Sequence, residues 1–276
     1  MKKFLLMITA LFFSSLSVLS QAISLEEAIK RNIITYSIEG LSGDDIPQGS
    51  SSHYGKCLTT TIRNHSASAV AIKIESGRFL QPQDTNVQRM LITKTSIIRI
   101  EPKKSTTQKL YAMCSQSSKA SPSKNNRFKN GKLADAPLLK LAKIIEKNNY
   151  HNSTGQDAVW AIANGKDMGY KKAKNQAERE IFGHVQNTFK SKNVDTYNGM
   201  TLKIGFEIQL QKTSEVSIKI FDEFGKCLKT LRPSASYTQG NHDFEFWIRE
   251  TDFIPGKYKA VLFVDGRSVN KQDFEL

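Results

Sequence analysis

Leu202, Ile204, Phe206, Ile208 and Leu210 alternate with Lys203, Gly205, Glu207 and Gln209, the period-two pattern of a strand that buries one face. Val216, Ile218 and Ile220 repeat it, Phe244 and Phe246 mark a further strand, and Tyr258, Ala260, Leu262 and Val264 another. The breaks between these runs carry turn chemistry. Asp222-Glu223-Phe224-Gly225-Lys226 reads as a hairpin turn leading into Cys227 to Leu231, and Asp265-Gly266 is a two-residue hairpin signal. Residues 191–276 are therefore expected to form a small antiparallel sandwich.

The first half is patterned more loosely. Ser24-Leu25-Glu26-Glu27 is a capping box that opens a short helix to about Arg31. Val70, Ile72 and Ile74 alternate with polar or small residues, as do Leu110, Ala112 and Cys114, and Val87 to Ile92 and Ile97 to Ile100 are short β-branched runs. Turn residues at Asn64-His65-Ser66, Gly77, Pro82-Gln83-Asp84 and Pro102-Lys103-Lys104 separate them. This predicts a β-sandwich over 23–115. Residues 116–134, rich in Ser, Lys and Asn, read as a basic mobile loop. A helical segment and linker follows over 135–190. Asp135 caps a helix with Pro137 in its first turn, Thr154 and Asp157 open a second that Gly165 ends, and a more polar third runs from Lys171 to about Phe189. The expected fold is mainly β: two Ig-like antiparallel β-sandwich domains with an intervening helical segment.

The start of the chain changes what this fold is for. Lys2 and Lys3 precede an uncharged run from Phe4 to Leu19, and Ser20-Gln21-Ala22 supplies a small-x-small cleavage pattern. Residues 1–22 thus read as a signal peptide, since the run is shorter than the roughly 20 apolar residues of a membrane span. No Cys follows for acylation, and no later segment is apolar enough to span. The expected product is secreted or on the cell surface, with the periplasm the other destination of such a leader. Removing Lys2 and Lys3 lowers the net charge of +14 by two, so a strongly cationic chain remains.

In an exported protein Cys57 and Cys114 are the natural disulfide pair, with Cys227 left over. The remaining chemistry is sparse. No nucleophile-base-acid signature, phosphate loop or zinc spacing occurs, and no two of His53, His65, His151, His184 and His242 share helical ligand spacing. His65 and His151 lie in polar turns, where solvated rings are expected. Asp44-Asp45 and Asp222-Glu223 suit solvated turns. The reading is non-catalytic, with no cofactor and no metal. From Pro102 to Ala134 there is no acid, while Lys119, Lys124, Arg127, Lys129 and Lys132 fall within that span and Lys140 and Lys143 extend it. Such a run is expected to attract an anionic polysaccharide or lipopolysaccharide in a salt-sensitive way.

Two resemblances add to this. Val216 to Lys226, Gly240-Asn241-His242-Asp243-Phe244 and Ile254-Pro255-Gly256-Lys257-Tyr258 resemble the Ig-like domains of flagellar hook-capping proteins and of type IX secretion C-terminal sorting domains. That resemblance, over 201–276, implies partners among cell-surface or secretion proteins. Gly55-Lys56-Cys57-Leu58, Val87-Gln88-Arg89-Met90-Leu91-Ile92 and Gln156-Asp157-Ala158-Val159-Trp160 resemble, in order, the motifs of thioester-type surface adhesins, with Gly155 where that family has threonine. This second resemblance, over 55–165, implies a covalent bond between Cys57 and Gln88.

Overall fold

The computed structural model describes residues 21–165, 168, 172–190 and 201–276. The expected signal peptide lies outside these residues except for its last two. The described chain is mainly β, with strands gathered in four sheets.

Nine strands belong to the first half: β1 (Ile23–Ser24), β2 (Ile34–Gly40), β3 (Tyr54–Asn64), β4 (Val70–Ile74), β5 (Arg78–Pro82), β6 (Met90–Ile92), β7 (Ser96–Ile100), β8 (Ser105–Cys114) and β9 (Phe128–Leu133). They form a three-stranded sheet, β1-β4-β7, and a six-stranded sheet, β2-β3-β8-β6-β5-β9. Ile72, Ile74, Ile98 and Ile100 of the small sheet meet Ile62, Leu80, Met90, Ile92 and Leu110 of the large one in a single core. The helix α1 (Leu25–Lys30) closes that core with Leu25 and Ala28, and its cap is as expected, Ser24 accepting from Glu27 N–H.

The helices are also packed on the first half. They form a third layer on the opposite face of the large sheet, where Phe79, Leu91 and Met113 pack against α2 (Ala136–Asn148), α3 (Ser153–Asn164) and α4 (Gln176–Lys190). Strand β6 and the C-terminal part of β8 are consequently buried on both sides, which explains why Met90, Leu91 and Ile92 are apolar without alternation. Asp135 caps α2 as expected, whereas α3 is capped by Asn152, whose side chain accepts from Gly155 N–H, and not by Thr154. The segment read as a loop over 116–134 is a loop only in part, because Phe128–Leu133 is the edge strand β9, paired with β5.

The second half holds β10 (Thr201–Leu210), β11 (Ser214–Asp222), β12 (Cys227–Tyr237), β13 (Gly240–Arg249), β14 (Lys257–Val264) and β15 (Arg267–Glu275). A two-stranded sheet, β10-β13, faces a four-stranded sheet, β12-β11-β14-β15, across a core of Ile204, Phe206, Ile218, Ile220, Phe244 and Leu262. The β14–β15 turn has positive φ at both Asp265 and Gly266, 48° and 76°, as a type I′ hairpin requires.

Helix α4 touches both halves. Ile181 and Val185 belong to the helical layer, while Arg179 reaches Tyr258 Oη at 3.1 Å and Glu223 Oε1 at 2.7 Å in the second half. Among the described residues no helix is long and apolar enough to cross a membrane.

Candidate functional site

The three motif segments, distant in sequence, meet at the large sheet. Strand β3 pairs with β8 through a register shift between Gly55 and Leu58, and this irregularity carries Cys57. Its side chain enters the core with no exposure, and the thiol donates to the Ala112 carbonyl at 3.4 Å. Gln156 sits in the first turn of α3, 2% exposed, and its carboxamide brackets the Cys114 backbone. Cys114 N–H donates to its Oε1 at 2.9 Å, and its Nε2 donates to the Cys114 carbonyl at 2.7 Å. Gly55 pairs with Ala112, and Cys114 N–H also donates to the His53 carbonyl, so both attachment points face β3. Thiol and carboxamide are docked two residues apart on one strand, on the same edge.

Trp160 lies one helical turn beyond Gln156 on the same face of α3. Its Nε1 donates to Gln88 Oε1 at 3.1 Å, and its ring stands edge-on to His53 at 5.5 Å between centroids. Gln88, 1% exposed, is engaged at every polar atom: Oε1 also accepts from Gln116 N–H at 3.1 Å, and Nε2 donates to the Lys119 carbonyl at 2.9 Å. Gln88 thus fastens the 116–119 turn and Trp160, while Gln156 is the carboxamide set beside the cysteines. Gly155 stands where a threonine is expected because a Cβ there would come within 2.4 Å of the Tyr150 carbonyl and 2.9 Å of Met113 Cε.

The disulfide expected between Cys57 and Cys114 is not formed; both are free, buried thiols, and Cys227 is free and exposed. Cys114 contacts Met90 Sδ at 3.6 Å. Burial pushes the Cys57 thiol up to about 12. Burial raises Cys114 as well, with Cys57 adding to the shift. Both sulfurs are thiols at neutral pH, and the packing that desolvates them also excludes bulk water.

The basic residues expected to act together are divided. Lys119, Lys124 and Arg127 lie in the loop before β9, Lys129 and Lys132 on β9, and Lys140 and Lys143 on α2. Arg127 is drawn to Glu39 at 3.4 Å, and Lys140 lines a cleft of about 550 Å³ between α2, α4 and the second half. His151, expected in solvent, is instead 7% exposed and lies against Tyr111, the rings 4.4 Å apart and tilted by 37°. Around Tyr111 lies a lysine-lined groove that sequence reading missed, since nothing in the local pattern joins Lys56, Lys94 and His151. Among the described residues no three His, Cys, Asp or Glu side chains gather as metal ligands would.

No family model matches the chain. No curated protein matches it either. Among solved structures, the extracellular region of the Ser/Thr kinase PrkC from Staphylococcus aureus is similar at 15% identity and a TM-score of 0.22, over 28% of each chain. The alkylpurine DNA glycosylase AlkC of Pseudomonas fluorescens, bound to DNA containing an abasic site analogue, is similar at 10% identity and 0.23, over 44% of this chain and 45% of that one. A β-glucosidase from Kluyveromyces marxianus follows at 7% identity and 0.19, over 87% of this chain and 49% of its own. The alignments span under half the length of each of these proteins, and at such TM-scores the likenesses carry no argument about fold or function.

Proposed function

We propose that the chain is an exported, non-catalytic surface adhesin whose first half captures amines covalently through an internal thioester. The observation that carries this reading is the convergence of Cys57, Gln156, Trp160 and Gln88 from three sequence-distant segments. In the forming step the Cys57 sulfur adds to the Gln156 side-chain carbonyl, the C–N bond breaks, and the thiol proton leaves with ammonia. An external primary amine then attacks the same carbonyl, the C–S bond breaks, and Cys57 regains its proton. Docking on Ala112 and Cys114 anchors thiol and carboxamide about 7 Å apart along β8, so bond formation requires the two side chains to move from these anchors into the roughly 3–3.5 Å separation of a reacting pair. Exclusion of water protects the thioester from hydrolysis until an amine enters. The acyl donor in this reading is Gln156, whose carboxamide is anchored on Cys114 two residues along β8 from the thiol's anchor at Ala112, whereas Gln88 is anchored on Trp160 and the 116–119 turn.

The second half, in the same reading, is an Ig-like sandwich that spaces the capturing unit from whatever holds the protein at the surface, as the resemblance to hook-capping and sorting domains suggests. The test is incorporation of a biotin-linked primary amine into the full mature chain, with the modified residue mapped by peptide sequencing. Label is expected on Gln156 and is expected to vanish in Cys57→Ala while Cys114→Ala retains it. Label on Gln88, or label that is indifferent to Cys57→Ala, would overturn the assignment.

A further inference from the structure

We propose that a groove centred on Tyr111, between Lys56 and Lys94, binds the carboxylate or sulfate groups of an acidic saccharide. Two adjoining cavities of about 280 and 580 Å³ share Lys56 and Tyr111; the smaller runs between the large sheet and the connection from α2 to α3, the larger along residues 94–97 and β8. Not one Asp or Glu lines either of them, whereas Lys56, Lys94 and Lys109 all do. Lys56 Nζ and Lys94 Nζ lie 5.4 and 5.1 Å from the centre of the Tyr111 ring, so one aromatic ring attracts two ammonium groups that would otherwise repel.

A second observation points into the same place. His151 lines the smaller cavity, is more than nine-tenths buried, and its Nε2 is buried without a hydrogen-bond partner. Its Nδ1 lies 3.1 Å from Thr93 Oγ1, which can donate to it and leave the proton on Nε2 for an incoming oxygen. A buried polar atom with no partner is unfavourable, and a ligand oxygen here removes that penalty. Gln48, Asn149, Asn152 and Gln108 add neutral amides around the lysines, which suits hydroxyl groups beside an anion. Two lysines occupy the ring of Tyr111, so a nucleic-acid base has no open aromatic platform to stack on. This site is distinct from the basic loop and α2 lysines, and it does not depend on thioester chemistry.

The experiment is calorimetric titration of the full mature chain with galacturonate oligosaccharides, heparin-derived oligosaccharides, dextran and a single-stranded oligonucleotide. The first two separate carboxylate from sulfate. At least one acidic saccharide is expected to bind with salt-dependent affinity, dextran to give no heat, and Cys57→Ala to bind as well as the parent chain. Lys56→Ala and Lys94→Ala are each expected to weaken binding by about tenfold, the loss of one charge-assisted hydrogen bond. The His151 ring resonances should shift on titration in the parent chain. Lys124→Ala with Lys129→Ala serves as the comparison and should leave affinity unchanged. The proposal is overturned by absence of binding to either acidic saccharide, by loss of binding only in the comparison variant, or by binding of the oligonucleotide alone.

Discussion

Gly155 illustrates how a single backbone position can decide what a motif looks like. The Tyr150 carbonyl approaches so closely that a Cβ would lie 2.4 Å away, so Gly155→Thr forces the start of α3 off the sheet. The expected cost is about 1–3 kcal/mol, the usual range for overpacking a close contact, read as a lower urea midpoint. An unchanged midpoint would contradict the packing described. His151 makes a second residue-scale prediction. Burial first, then Lys94, hold its ring at about 4 instead of 6.5, while Glu146 opposes them; Tyr111, Lys56 and Lys109 are the other titratable groups on that groove. Below 6.5 the unfolded chain takes up a proton that the folded chain resists until about 4, so stability falls with falling pH across that window. His151→Gln should flatten the slope of unfolding free energy against pH there, and an unaltered slope would show that His151 is solvated after all. Neither residue announced itself in the sequence. Gly155 reads as a departure from a motif, and His151 as an ordinary turn residue, because both are defined by neighbours that only tertiary packing brings near.

At the scale of elements, what the pattern revealed depends on how much each strand buries. The alternations of β10, β11 and β14 were legible because one face of each is core. Strands that bury little were not. β9 buries Phe128 but exposes Lys129, Lys132 and Leu133, and β12 runs on to Tyr237, well past the expected end at Leu231, through mostly exposed residues. A strand whose partner is a neighbour's backbone, not a core, leaves little period-two signature. The junction of α4 with the second half was equally silent. Arg179 is 4% exposed and approaches Asp222 Oδ2 at 3.5 Å through Nε, an electrostatic approach without a hydrogen bond, since both atoms lack hydrogen-bond partners. Its other contacts, to Glu223 and Tyr258, are hydrogen bonds, and a Cβ on Gly256 would meet Nη2 at 2.6 Å. Arg179→Ala leaves the Asp222 carboxylate buried without its cation and should cost about 3 kcal/mol. Separate unfolding transitions for the two halves by calorimetry would accompany it. Arg179→Met combined with Asp222→Asn should recover part of the loss, and no recovery would mean that the ion pair itself is not what fastens the helix.

For the whole molecule, the three-layer first half explains why motif segments at 55–58, 87–92 and 156–160 share one site. The large sheet is covered on both faces, so β8 receives Cys57 from its neighbour β3 and Gln156 from the helical layer. The cation surplus was readable from composition, but its distribution was not, because the groove at Tyr111 draws Lys56 and Lys94 from separate strand regions while the continuous basic run disperses over a loop, an edge strand and a helix. The central claim is that Cys57 and Gln156 join. Intact mass of the freshly purified mature chain under denaturing, non-reducing conditions tests it directly. The account predicts a mass lower by one ammonia, and a mass raised by one methylamine relative to that product after incubation with the amine, both abolished by Cys57→Ala and by Gln156→Ala. The full unmodified mass, or a loss of two hydrogens from a Cys57–Cys114 disulfide, would contradict it.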